Sequence, residues 1–124
     1  LEHSFISNTA DWFDVIAAGG VVPNKKPAPD IYHYALERLG LPAGRCLAIE
    51  DSANGLQAAQ NAGVATLITV NRYTEDHDFA GAAVVLDQLG EPGNPCHLIA
   101  GDQDPGGMVT PAYLQRLHAC CRTP

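Results

Sequence analysis

The sequence predicts an α/β fold built on a parallel sheet. Apolar runs of four to six residues alternate with segments in which apolar side chains recur at helical spacing. Glycines and residues suited to helix starts separate the two kinds of segment. Strands that are separated by helices of this length need crossover connections, and such connections join parallel strands.

The beginning of the pattern predicts one strand and one helix. Residues 13–18 form the first apolar run, which Gly19-Gly20 closes. A helix is predicted to open at residues 27–30, because proline is tolerated in a first turn, and to stop at Gly40. Helical spacing assigns four residues to its buried face: Ile31, Ala35, Leu36 and Leu39.

Three further strands are predicted downstream. Residues 46–49 form a short apolar run that ends in Glu50-Asp51, and Ser52 is a good N-cap for a helix that runs to Ala62. Residues 65–70 are rich in β-branched side chains, which favour a strand. Residues 83–86 follow a charged loop and predict the last strand of this unit.

The pattern changes at residue 91. Residues 91–95 are a cluster of helix and strand breakers, and a short apolar run at 97–100 follows. Thr110-Pro111 is predicted to cap a final helix with Leu114 and Leu117 facing inward. We therefore predict an N-terminal remnant at residues 1–10, a main unit at 11–90, and a C-terminal appendage with a terminal helix at 91–124.

Composition narrows the classes of partner. The 124 residues are 46% hydrophobic, enough for one domain with a core, and they carry 7 Lys+Arg against 14 Asp+Glu. We expect no nucleic-acid and no membrane partner at a formal net charge of −7, because both surfaces attract clustered cations. The longest uncharged stretch, residues 52–71, is too polar to span a bilayer. An anionic substrate needs only one or two well-placed cations.

The four cysteines indicate a reducing compartment. Cys46, Cys96, Cys120 and Cys121 form no C-x-x-C pair of the kind that binds metal or carries redox chemistry. Cys46 lies inside an apolar run, where a thiol packs as a small core residue. Reduced cysteines in a cytoplasmic protein are the expectation, and a disulfide from the terminal pair to a partner is the alternative.

Two features predict a functional site at the carboxyl ends of the strands, where ligands bind in parallel α/β sheets. Glu50-Asp51 ends a strand and precedes a helix, and carboxylate oxygens suit a hard cation such as Mg²⁺. Lys25-Lys26-Pro27 also precedes a helix, where an ammonium and free backbone N–H groups can hold phosphate. Each feature alone is more often a solvated edge or a surface turn. Their joint placement points to phosphoryl transfer.

Several motifs resemble those of the haloacid dehalogenase (HAD) superfamily. They are Phe-Asp-Val-Ile at residues 13–16, Lys-Pro-Ala-Pro-Asp-Ile-Tyr at 26–32, Ala-Ile-Glu-Asp-Ser-Ala-Asn-Gly at 48–55, and Ala-Gly-Val at 62–64. The pattern is similar to that of the sugar-phosphate phosphatase and β-phosphoglucomutase-like branch. Residues 11–92, about two-thirds of the chain, are similar to the CbbY-like phosphatases.

The resemblance implies a fold and a set of site residues. The fold would be part of a HAD-like Rossmannoid three-layer sandwich with a parallel sheet, without the first strands and the cap. Lys26 would be the catalytic, phosphate-binding lysine, and Lys25 a neighbour without that role. Glu50 and Asp51 would hold Mg²⁺ directly or through water. Ser52 and Asn54 would support them in the same turn, Ser52 either as a helix cap or as a partner of the ligands.

The sequence departs from the family pattern at its beginning. The family's Asp-x-Asp-Gly-Thr motif, whose first Asp is the nucleophile, is absent ahead of Phe13. Ser7 and Thr9 lie too close to Phe13 to match the family's second motif. We therefore expect the chain to be the C-terminal part of a Mg²⁺-dependent phosphatase of phosphorylated sugars, one that works through an aspartyl-phosphate, and to be inactive alone. The alternatives are a phosphosugar mutase and a non-catalytic structural or interaction module.

The family's strand order of five, four, one, two, three also implies a missing neighbour. Residues 13–18 match strand three, and residues 46–49 match strand four, which lies across strands that have no match in the chain. We expect residues 13–18 to pair with residues 46–49, to pair with a second copy of the chain through the unpaired edge, or to leave the chain loosely folded.

A second acidic segment could mimic the missing nucleophile. Residues 98–106 read as a short apolar run followed by Asp102-Gln103-Asp104-Pro105-Gly106. Asp102 could then be the nucleophile of a permuted domain. A polar loop with turn-forming aspartates fits the Pro and Gly residues better. The five histidines have no metal-ligand spacing.

Overall fold

The computed structural model describes residues 3–8, 14–18 and 24–121, which form one six-stranded sheet with helices on both faces. Phe13 and Gly19-Gly20, the predicted ends of the first apolar run, lie outside the described residues. The strands are β1 (His3–Asn8), β2 (Asp14–Ala18), β3 (Cys46–Glu50), β4 (Ala65–Thr69), β5 (Val84–Leu86) and β6 (Leu98–Ala100). The helices are α1 (Asp30–Leu39), α2 (Ala53–Asn61) and α3 (Pro111–Cys121), with a 3₁₀ turn at Ala43–Arg45.

The sheet is mixed, with the order β2-β1-β3-β4-β5-β6. β3, β4 and β5 are parallel, as their sequence pattern predicts. β1 is antiparallel to both of its neighbours, and β6 is antiparallel to β5. The predicted α/β class and its parallel sheet are therefore confirmed for β3, β4 and β5, while β1 and β6 join the sheet by antiparallel pairing.

The expected gap beside the strand at residues 13–18 is filled from within the chain. β1 lies between β2 and β3, with Ile6 opposite Val15 and Ala48. The three outcomes predicted for an unpaired strand are therefore wrong, since no gap is left between β2 and β3. Self-association through the outer edge of the sheet, where β2 lies, stays a prediction. The physical reason is local: closing a short hairpin costs less chain entropy than a distant pairing, and it satisfies the backbone groups of β2 on one side.

Alternate residues of the central strands face two different cores. Cys46 and Ala48 of β3 pack with α1 and α2, whereas Leu47 packs with α3. This division follows from the two-residue period of a strand. The predicted inward residues of the last helix, Leu114 and Leu117, are buried there with Tyr113. The predicted boundary between a main unit and an appendage at residue 90 stays a prediction. Beyond that residue, β6 extends the sheet and α3 covers one sheet face.

Gly40 ends α1 as the sequence predicts. Its φ of +67° is left-handed, and its N–H donates to the carbonyl oxygens of Leu36 and Glu37. Leu41 also donates to the Leu36 carbonyl oxygen, which completes a Schellman-type ending. This ending directs the chain out of α1 toward the start of β3.

Replacing Gly40 with Ala should lower the free energy of unfolding by about 1 kcal/mol, because a Cβ disfavours the left-handed conformation. No heavy atom lies within 4 Å of the added Cβ, so the loss has no steric part. Urea denaturation measures the change. Gly40→Asn serves as the control and should lose less, since Asn tolerates this conformation. Equal stability of Gly40→Ala and the parent protein would contradict the assignment.

Candidate active site

Glu50 and Asp51 occupy different environments at the carboxyl end of β3. Glu50 continues the face of Cys46 and Ala48, and it is 4% exposed. Asp51 comes one residue later and is exposed. Glu50 is the last residue of β3 and lies on its packed face, whereas Asp51 follows the strand, so one carboxylate enters the protein while the other stays in solvent.

Lys26 forms an ion pair with Glu50. Its ammonium nitrogen lies 3.0 Å from Oε1 and 3.0 Å from Oε2 of the carboxylate. The Lys26 side chain is 6% exposed and that of Glu50 is 2% exposed. Lys25 is exposed, and the Lys26–Pro27 peptide bond is cis. The structure thus brings together the two predicted residues Lys26 and Glu50, and it separates Lys25 from them.

Two further residues enclose the Glu50 carboxylate. The hydroxyl of Tyr32, a fully buried residue of α1, donates a hydrogen bond to Oε2 of Glu50. Gly55 of α2 lies against the other oxygen, and a Cβ built on it would fall 2.1 Å from Oε1. Sequence analysis missed both contacts. Tyr32 lies in the Lys-Pro-Ala-Pro-Asp-Ile-Tyr motif, but nothing local indicates where its hydroxyl points.

The turn after Asp51 starts α2. The Ser52 hydroxyl accepts a hydrogen bond from the N–H of Gly55 at 3.1 Å, so Ser52 is the N-cap. His77 contributes a second contact, since its Nδ1 accepts from the N–H of Ala53 at 3.1 Å. A single histidine in a charged loop gave no signal for this contact. Asn54 is exposed and lines a cleft of about 350 Å³ with Pro27 and Asp78.

Asp51 borders a cleft above the three parallel strands. The cleft has a volume of about 430 Å³, and its lining also includes Thr69, Asn71, Asp87 and Glu91. Both carboxylate oxygens of Asp87 contact His97. The His97 N–H donates to Oδ1 at 2.6 Å, and the His97 ring nitrogen Nδ1 lies 2.9 Å from Oδ2. The backbone hydrogen bond from His97 holds the pKa of Asp87 below its usual value. This cleft is the space to which Asp51 has access.

The donor set around Asp51 is compatible with Mg²⁺. In the described parts of the chain, no group of three or more His, Cys, Asp or Glu side chains could hold a metal ion by itself. Mg²⁺ in phosphoryl-transfer sites is usually held by one or two carboxylates together with substrate phosphate and water. Asp51 offers an exposed carboxylate, and Glu50, the residue before it in the chain, offers a buried one.

Asp102 lies at the other end of the sheet. β6 runs antiparallel to β5, with Ala100 opposite Val85, so residues after Ala100 approach the start of β5. A Cβ on Gly101 would lie 3.1 Å from the Ala83 carbonyl oxygen. Asp104 accepts from the N–H of Gly106 at 2.8 Å, as expected for a turn-forming aspartate. The permuted nucleophile is therefore placed away from Lys26.

A cavity of about 630 Å³ lies at the amino ends of β3 and β4. Its lining includes Arg45, Cys46 and His118, and His118 Nε2 contacts the Gly44 carbonyl oxygen at 2.9 Å. The Glu50 carboxylate is at the other end of β3. This cavity is therefore separate from the predicted site.

Among the residues that the structure describes, no helix is long and apolar enough to cross a membrane.

Comparison with known proteins agrees with the motifs. Residues 5–63, which include Lys26, Glu50, Asp51, Ser52 and Asn54, match the model of the haloacid dehalogenase-like hydrolases. This part of the chain is therefore similar to that family. The chain is 52% identical over 89 residues to protein CbbY of Cupriavidus necator, an overlap of 69% of this chain and 35% of that protein. The resemblance drawn from the sequence motifs is thereby confirmed.

Solved structures of CbbY from Rhodobacter sphaeroides are similar as well. The complex with phosphate has a TM-score of 0.58 and 48% identity over 62% of this chain and 34% of that one. An Asp-to-Asn mutant in complex with xylulose-(1,5)-bisphosphate has a TM-score of 0.57 and 49% identity over 58% of this chain and 32% of that one. The chain spans about a third of the length of these relatives.

Replacing Gly55 with Ala should disrupt the Lys26–Glu50 pair, because the new Cβ would overlap Oε1 of Glu50. We expect the free energy of unfolding to fall by about 1–3 kcal/mol, although Ala favours a helix. Gly44→Ala is the matched control, since nothing lies within 4 Å of its Cβ. Urea denaturation compares the two. A Gly55→Ala protein as stable as Gly44→Ala would contradict the packing of Glu50 against α2.

Proposed function

We propose that Lys26, Glu50 and Asp51 belong to the active site of a Mg²⁺-dependent phosphatase that acts on phosphorylated sugars. The observation that carries this proposal is the buried Lys26–Glu50 pair beside an exposed Asp51 at the carboxyl end of β3. The family match over residues 5–63 supports the same reaction class. The carboxyl end of parallel strands is where ligands bind in such sheets.

Lys26 would bind and neutralise the phosphoryl group. An ammonium has three N–H donors, and the contacts with the two oxygens of Glu50 leave donor capacity for an anion. Because the pair is largely shielded from water, its electrostatic interactions are stronger than those of an exposed lysine. Lys25 lacks this setting because it is exposed. The catalytic role is therefore assigned to Lys26 alone.

Asp51 would be the direct ligand of Mg²⁺. Its carboxylate is exposed, whereas both oxygens of Glu50 already contact Lys26 and one of them also accepts from Tyr32. Glu50 would act indirectly, either on the cation through a water molecule or by orienting Lys26. When bound, the cation would offset charge that develops on the phosphoryl oxygens. Ser52 holds the turn by capping α2, and Asn54 stays a predicted supporting residue.

The covalent step needs a further carboxylate, because Glu50 is engaged by Lys26 and Tyr32 and Asp51 is assigned to the cation. An aspartate oxygen would form a bond to phosphorus while the bond from phosphorus to the sugar oxygen breaks and that oxygen takes up a proton. Water would then attack the aspartyl-phosphate and release inorganic phosphate. The family's Asp-x-Asp-Gly-Thr motif is absent from these 124 residues. The proposal therefore concerns the complete reading frame that contains this chain.

The substrate class rests on what the relatives bind. The CbbY structures contain phosphate and xylulose-(1,5)-bisphosphate. A phosphorylated sugar carries the anionic group that Lys26 can bind. We also place the protein in the cytoplasm, a proposal supported by the four cysteines, which are free thiols in the structure.

In the protein expressed from the start codon of its reading frame, Lys26→Ala should lower kcat/KM for phosphorylated sugars by about 10²–10³, as loss of one charge-stabilising donor does. Lys25→Ala is the matched control and should leave kcat/KM within about twofold, because Lys25 is exposed. Steady-state phosphate release with added Mg²⁺ measures both variants. A similar effect at both positions would contradict the assignment of Lys26.

A polypeptide of these 124 residues alone should not hydrolyse an aryl phosphate, because none of Lys26, Glu50 and Asp51 can replace the aspartate nucleophile. Release of the coloured phenol in the presence of Mg²⁺ is the measurement. Asp102→Asn is the informative variant. Turnover that disappears in Asp102→Asn would revive the permuted nucleophile and contradict this prediction.

A further inference from the structure

Tyr32 places a polar group at the end of an otherwise apolar core. Tyr32 is fully buried in the cluster between α1, α2 and β3, which also contains Ile31, Ala35, Cys46 and Ala48. Its hydroxyl donates to Oε2 of Glu50. A phenylalanine ring would fill the same apolar volume, so packing alone does not explain the hydroxyl.

We propose that Tyr32 is a positioning residue, which fixes the Glu50 carboxylate and through it the ammonium of Lys26. The inference rests on the proposed function, because it gives Tyr32 a part in holding the phosphate-binding lysine. Tyr32 belongs to α1, Glu50 to β3, and Lys26 to the segment before α1. The hydroxyl therefore couples the helix that follows the lysine to the strand that carries its partner.

The carboxylate of a glutamate needs several contacts to keep one orientation. Its terminal torsion is broad, so a single ion pair allows the two charged groups to turn together. Here Lys26 contacts both oxygens, Tyr32 donates to Oε2, and Gly55 limits the space beside Oε1. A hydrogen bond to a charged oxygen is stronger than one between neutral groups. Of these contacts, the Tyr32 hydroxyl holds the carboxylate from the α1 side.

Tyr34 provides a matched comparison on the same helix. It is half-buried, and the Arg38 guanidinium lies 5.9 Å from its ring centre. Removing its hydroxyl changes the same chemical group two positions away, without touching Glu50. Tyr32→Phe and Tyr34→Phe therefore separate the loss of this hydrogen bond from a general effect of replacing Tyr by Phe in α1.

The test measures how well Lys26 is held. The protein expressed from its own start codon is treated with N-hydroxysuccinimide acetate, and acetylation of Lys26 and Lys25 is followed by mass spectrometry. Lys25, which is exposed, is the internal control for reagent and unfolding. We expect Tyr32→Phe to raise the Lys26:Lys25 labelling ratio about fivefold to tenfold, as loss of one charge-assisted hydrogen bond would. Tyr34→Phe should leave the ratio unchanged.

Kinetics supply a second readout. Tyr32→Phe should lower kcat about tenfold and leave KM within about twofold, because a loosely held Lys26 stabilises the transition state less while the other substrate contacts remain. The thermal midpoint should stay close to that of Tyr34→Phe. A fall in thermal stability with an unchanged labelling ratio and unchanged kcat would mean that the hydroxyl serves only the core, and would overturn the proposal.

A double-mutant cycle tests whether Tyr32 acts through Glu50. Glu50→Gln should itself raise the labelling ratio, and Tyr32→Phe should add little to it in that background. Equal effects of Tyr32→Phe in both backgrounds would overturn the proposal. If Tyr32→Phe does not fold, Glu50→Gln still decides: an unchanged ratio would show that Glu50 does not hold Lys26. Absence of phosphatase activity in the parent protein would refute the proposed function, whereas the labelling ratio tests the positioning separately.

Discussion

The shielded ion pair between Lys26 and Glu50 sets the main constraint on this structure. Removing two charges from water costs several kcal/mol per ion, and only close geometry with further hydrogen bonds offsets that cost. The required geometry comes from three elements that are separate in sequence: β3 supplies the carboxylate, α1 the Tyr32 hydroxyl, and α2 the space beside Gly55. A shift of any of them would leave a shielded charge poorly paired. The pair therefore ties the helices to the end of β3.

The end of β3 places two adjacent carboxylates in different environments. In the sequence, Glu50 and Asp51 form one acidic pair with equivalent members. In the structure, Glu50 follows the face that packs with α1 and α2, while Asp51 borders the cleft above β4 and β5. One carboxylate can orient a lysine because it is enclosed, and the other can reach a cation because it is exposed. The difference arises because β3 ends between the two residues.

Local signals predicted the elements near the site, and non-local contacts set the rest. Ser52 caps α2 and Gly40 ends α1 because both effects depend on the residue's own backbone and its nearest neighbours. The pairing of β1 with β3 could not be predicted this way, since it joins segments about forty residues apart. The contacts of Tyr32 and His77 were missed for the same reason: a side chain's partner in another element leaves no local pattern.

The charges at the site explain why Lys26 alone is insufficient for the proposed substrate. Lys26 contributes one positive charge, while Glu50 and Asp51 contribute two negative charges, so the three residues together carry −1, in a chain of net charge −7. An anionic phosphoryl group beside them would be repelled unless a further cation were bound. An exposed Asp51 next to a cleft offers a place for such a cation, while Glu50 keeps Lys26 oriented. The local balance of charge thus supports the proposed requirement for Mg²⁺, as the family resemblance does.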